Sequence, residues 1–75
     1  MKIKFSRHAK RRAKLYGISE TQISDILTNM NFHQGEHEII KGVSGFKYPW
    51  KIVVSVEENL ITVVTNYPLK KGWKK

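Results

Sequence analysis

Seventy-five residues with 14 Lys/Arg against 6 Asp/Glu carry a net charge of +8, with a pI near 10.0. That length allows one domain at most and only a small core. The charge directs attention to a polyanionic partner, and the lack of cysteine excludes disulfides and thiolate chemistry.

Taken in order, Lys2-Ile3-Lys4-Phe5 alternates and reads as a short strand. Ser6 is placed to cap a helix over about residues 7–16, with Gly17 as its left-handed stop. Ser19 and Gln22 form a capping box for a second helix running to about Met30, and Ile18 with Ile23 is spaced as a hydrophobic staple. Ile23, Ile26, Leu27 and Met30 make its apolar stripe. The pattern then changes to period two. His37 to Lys41 is a strand, and Gly42-Val43-Ser44-Gly45 a turn. Phe46 to Val56 is one or two strands interrupted near Pro49, Glu57-Glu58-Asn59 a tight connection, and Leu60 to Tyr67 the last strand. The order β-α-α-β-β-β implies an α+β fold, two helices packed on a small twisted antiparallel sheet, spanning residues 1–75 as a single domain.

Seven of the first fourteen residues are Lys or Arg, and four more fall in the last six; no acid lies among either group. On a helical wheel Ala9, Ala13 and Tyr16 form the inner face of the first helix, and Arg7, Lys10, Arg11 and Lys14 the solvated one. His8 and Arg12 share a border between them, one turn apart. This pairs a group that titrates near neutral pH with a fixed cation, a combination suited to phosphate. The plain alternative is a solvated basic helix whose Arg12 stem covers apolar surface. The second cluster is Thr65-Asn66-Tyr67-Pro68-Leu69-Lys70-Lys71-Gly72-Trp73. Thr65 and Tyr67 share parity, so a hydroxyl and a phenol point the same way; good strand formers also explain both. Trp73 reads as a hydrophobic clasp rather than a stacking platform.

Strand register decides whether Lys51 joins them. A three-residue connection with Asn59 left-handed pairs Val56 with Leu60 and sets Lys51 opposite Thr65. Trp50, Ile52, Val54 and Val56 then face the helices with Leu60, Thr62 and Val64. A connection of only Glu58-Asn59 sends Thr65 and Tyr67 to the core side. The first register is preferred. His33 and His37 are four apart without a further ligand, so no metal site is expected. No glycine-rich nucleotide loop is present, and no cofactor is expected.

His8-Ala9-x-x-Arg12, then Gly17-Ile18-Ser19, then Ile23, Ile26 and Leu27, with Ile61-Thr62-Val63-Val64-Thr65, Tyr67 and Trp73 at the far end, resembles a small bacterial family of domains of unknown function, numbered four-two-five-eight. That family is grouped with the RelE-like fold of toxin ribonucleases. Tyr16 stands where the family pattern often has arginine. The resemblance implies a RelE-like domain. The sharpest reading is a toxin of a toxin–antitoxin pair, cutting RNA with the RNA's own 2′-hydroxyl and no metal. In that reading His8 is base or acid and Arg12 the phosphate clamp. Thr65 and Tyr67 position the phosphate with Lys51 in support. Arg7, Arg11, Lys14, Lys70 and Lys71 hold the backbone by charge. The partners expected are RNA, free or on the ribosome, and a small acidic antitoxin protein. No membrane is expected, because the basic start lacks an apolar stretch behind it and no run is long enough to span a bilayer; the location expected is cytoplasmic. The alternatives are a non-catalytic RNA-binding module and a basic protein-interaction domain.

Overall fold

A computed structural model describes residues 2–43 and 45–69. Lys70, Lys71, Trp73, Lys74 and Lys75 lie outside them. The elements are β1 (Lys2–Phe5), α1 (Arg7–Tyr16), α2 (Glu20–Thr28), β2 (Gly35–Lys41), β3 (Trp50–Glu57) and β4 (Leu60–Pro68). The sheet order is β1-β4-β3-β2, and both helices contribute to a core on one face of it.

Both helices begin where their caps dictate. The Ser6 hydroxyl accepts the Ala9 N–H at 3.0 Å, and the Ser19 hydroxyl that of Gln22 at 3.3 Å. Gly17 adopts φ 70° and closes α1 with its N–H directed at the Ala13 and Lys14 carbonyls. Ile18 and Ile23 are buried together in the core. α2 stops at Thr28 rather than near Met30. The Asn29 side chain donates to the Asp25 carbonyl and the Thr28 hydroxyl to that of Ser24, so local bonds occupy acceptors of the last turn. Met30 therefore leaves the stripe and is exposed, while Ile23 and Leu27 are buried.

The sheet is mixed, which corrects the expectation of an antiparallel one. β2, β3 and β4 form an antiparallel meander, but β1 runs parallel to β4, Ile3 beside Ile61 and Phe5 beside Val63. The reason lies at Ser6. Its N–H donates to the Val63 carbonyl and its hydroxyl to that of Val64, so the chain leaves β4 there and turns directly into α1. Strand limits differ as well. β2 starts at Gly35, not His37, and β3 starts only at Trp50. Phe46 belongs to the preceding turn and meets Trp50 edge-on at 4.8 Å.

Register follows neither expectation as written. The connection is Glu58-Asn59 alone: Glu57 pairs with Leu60, and Glu58 rather than Asn59 has positive φ, at 54°. That register turns Ile61 and Val63 inward, not Leu60, Thr62 and Val64. A β-bulge then intervenes. Val54 pairs with Val63 but Val53 pairs with Thr65, leaving Val64 as the extra residue. Beyond it parity is reversed. Asn66 turns into the core, and Thr65 and Tyr67 turn outward, opposite Val53 and Lys51.

Candidate functional site

β3 sorts its side chains by alternation. Trp50, Ile52, Val54 and Val56 are buried under the helices; Lys51, Val53 and Ser55 lie on the other, uncovered face. The bulge adds Thr65 and Tyr67 to that face, so Lys51, Thr65 and Tyr67 stand together on it. Lys51 is directly opposite Tyr67. Its ammonium donates to the Glu38 carboxylate at 3.2 Å, from the neighbouring β2. The Glu38 hydrogen bond is the main cause of a Lys51 pKa raised from its ordinary 10.5; the charge that Tyr67 acquires when its phenol ionises acts in the same sense. Lys51 is thus a fixed cation at neutral pH. It is not a proton acceptor there.

His8 and Arg12 stand elsewhere. Both are on α1, in the layer behind the sheet, with His8 exposed and Arg12 half-buried. The Arg12 guanidinium donates to the Tyr16 hydroxyl at 3.2 Å. No hydrogen bond among the described residues joins His8 or Arg12 to Lys51, Thr65 or Tyr67. The two groups are instead held back to back by β4. Asn66, between Thr65 and Tyr67 and wholly buried, donates its side-chain N–H to the Ala9 carbonyl at 3.2 Å. Ser6 fixes the start of the same helix to Val64 at the bulge. Two elements of this arrangement escape sequence reasoning: Asn66 as the tie, and Glu38 as the partner of Lys51. A signal for the first is present. The apolar alternation Ile61, Val63 breaks at the adjacent Val64, and a polar Asn66 takes the next inward place.

Arg7, Lys10, Arg11 and Lys14 are all exposed on α1. The Lys51–Glu38 contact is the only ion pair among the described residues, so no acid neutralises this helix. His37 brings Nε2 within 2.7 Å of the His33 carbonyl oxygen, an ordinary side chain to backbone bond. Among the described residues no cluster of three metal-ligating side chains occurs, and no helix is long and apolar enough to cross a membrane.

A basic first helix with its His8/Arg12 border, followed by the capped second helix and the bulged last strand, lies within the span that a family model matches. That model is the domain of unknown function DUF4258, and it covers residues 5–68. The chain belongs to this family. The match takes in His8, Arg12, Lys51, Thr65 and Tyr67, and it runs from Phe5 to the last residue of β4. No curated protein and no solved structure matches the chain significantly.

Proposed function

We propose that this protein binds RNA through the cationic face of α1. The observation that carries the reading is a run of four exposed cations, Arg7, Lys10, Arg11 and Lys14, with no acid paired to them. Like charges on adjacent turns repel, and a phosphate backbone relieves that repulsion by replacing counterions. The test is binding of single-stranded RNA as KCl is raised. Four phosphate contacts give a slope of log affinity against log salt of about −3. Gln at all four positions, which keeps helix propensity, should flatten that slope and abolish most binding. Binding indifferent to salt and to the four substitutions contradicts the proposal.

A second reading adds cleavage, and the Lys51, Thr65 and Tyr67 group on the uncovered face favours it. A protonated lysine beside a hydroxyl and a phenol suits the charge that develops when a 2′-hydroxyl attacks its own phosphate. His8 and Arg12 lie on α1 behind the sheet, away from this face, so in this reading the Tyr67 phenol is the proton donor and Lys51 offsets the charge. The grouping of its family with the RelE-like fold of toxin ribonucleases, which the resemblance implies, points to the same chemistry. The reading includes a cytoplasmic role in which a small acidic antitoxin covers the basic helix. Incubating the purified protein with RNA in EDTA should give fragments ending in 2′,3′-cyclic phosphate. Tyr67→Phe should stop cleavage while binding persists. Intact RNA leaves the binding module as the function; cleavage that survives Tyr67→Phe removes the phenol from the mechanism.

A further inference from the structure

A second cationic feature lies beside α1, on the side away from Arg12. β1 and β4 run parallel with Lys4 opposite Thr62, and both side chains have the parity that points away from the core. α1 starts three residues after Lys4 and brings Arg7 and Lys10, three apart, to the same edge of the sheet from its core side. A hollow of about 440 Å³ results, lined by Lys4, Arg7, Lys10 and Thr62 with Phe5 and Ser6. Three elements thus contribute three cations and a hydroxyl, and among the described residues no acid lines the hollow. The Ser6 hydroxyl is already engaged by the Ala9 N–H and the Val64 carbonyl, so the available polar chemistry is that of the other four side chains.

We propose that this hollow is a subsite for a single phosphate group. Three cations and a hydroxyl match the several acceptor oxygens and the multiple charge of phosphate. A carboxylate, with one charge and two oxygens, would leave part of the set uncompensated. The assignment rests on the RNA reading only for where the phosphate comes from. RNA offers two sources: a terminal monophosphate, whose three free oxygens and up to two charges match the set, and the internal diester, which with one charge and two free oxygens leaves part of it uncompensated as a carboxylate does.

The experiment is a titration of the labelled protein with inorganic phosphate, followed by amide NMR at constant ionic strength, with chloride as reference. The expected result is saturable shifts concentrated at Lys4, Arg7, Lys10 and Thr62. Lys10→Gln and Thr62→Val, each checked for unchanged spectral dispersion, should weaken phosphate binding by about tenfold or more, as loss of a charge-assisted hydrogen bond does. Lys41→Gln, at the opposite edge of the sheet, should leave it unchanged. Shifts that fail to saturate, or that spread evenly over every cation of α1, overturn the subsite. Short RNAs with and without a 5′-phosphate then identify the source. Preference for the phosphorylated end assigns the terminal group, and equal affinity that still falls in Lys10→Gln and Thr62→Val assigns the diester. RNA binding without a localised phosphate response removes the subsite and spares the RNA reading. A localised response without RNA binding does the reverse.

Discussion

Lys51 shows how one neighbour sets the chemistry of a side chain. Glu38 is not its directly paired residue but its diagonal one, since Lys51 pairs with Ile40 and Glu38 with Val53. The carboxylate raises the lysine pKa from 10.5. A raised lysine pKa means that the folded state holds the proton more tightly than the unfolded chain. The resulting stability is fully present below 10.5 and is lost as pH rises through the higher folded value. Glu38→Gln should therefore lower the Lys51 midpoint toward 10.5 in an NMR titration of its side chain. The stability gap between the two proteins should stay flat through neutral pH and shrink only in alkali; an unmoved midpoint would show that Glu38 is not the cause. Asn66 makes the opposite kind of contact, wholly buried, with its side-chain oxygen unpartnered among the described residues. Its N–H to the Ala9 carbonyl is the one side-chain bond tying the middle of α1 to β4. Asn66→Ala should cost about 1–3 kcal/mol in urea unfolding, and the Ala9 and Ala13 amides should lose hydrogen-exchange protection first.

The informative element is β4, because its two halves obey different parities. Before the bulge its inward residues are Ile61 and Val63; after it the inward residue is Asn66. Ser6 supports the junction from both sides, as cap of α1 and as donor to the Val64 carbonyl. Ser6→Ala should thus cost about 1–2 kcal/mol, the upper part of the range for an N-cap, by thermal or urea unfolding. Deleting Val64 is the sharper test. Without the extra residue, Thr65 and Tyr67 turn toward the core and Asn66 toward solvent. The deletion should abolish the dispersed NMR spectrum of the folded domain; a folded deletion protein with Tyr67 still exposed would refute the role given to the bulge. The caps, the left-handed Gly17 and the Ile18–Ile23 contact were legible because each depends on residues a few positions apart. The bulge was not, because it depends on how the chain brings Ser6 to Val64 across a separation of 58 positions.

Across the whole molecule, charge is sorted by layer and edge. Glu20 and Asp25 lie on α2, Glu36 and Glu38 on β2, and Glu57 and Glu58 at the end of β3 and in its turn. Lys2 of β1 borders a pocket with Glu57 and Glu58, whereas among the described residues no acid forms an ion pair with the cations of α1. The domain is held by a core in which Trp50 is the largest wholly buried side chain. In a chain of this length total stability is of the same order as one large cavity, so Trp50→Ala, at about 3–5 kcal/mol, should leave the protein largely unfolded at 25 °C by circular dichroism. A cooperative native transition in that variant would mean that the core is larger than its buried residues indicate.

Composition and local pattern by themselves determined a small basic α+β chain, the order of its elements, the ends of α1, the start of α2 and the inward face of β3. These follow from short-range sterics, capping and periodicity, which any stretch of a dozen residues already contains. Tertiary structure alone decided the parallel pairing of β1 with β4, the two-residue turn at Glu58-Asn59 and the reversal of parity at Val64. It also decided that Lys51, Thr65 and Tyr67 share one face while His8 and Arg12 stay on the helix behind it. Pairing partners in a sheet are set by which distant strands bury each other's apolar face, and a single inserted residue exchanges the two faces of everything that follows.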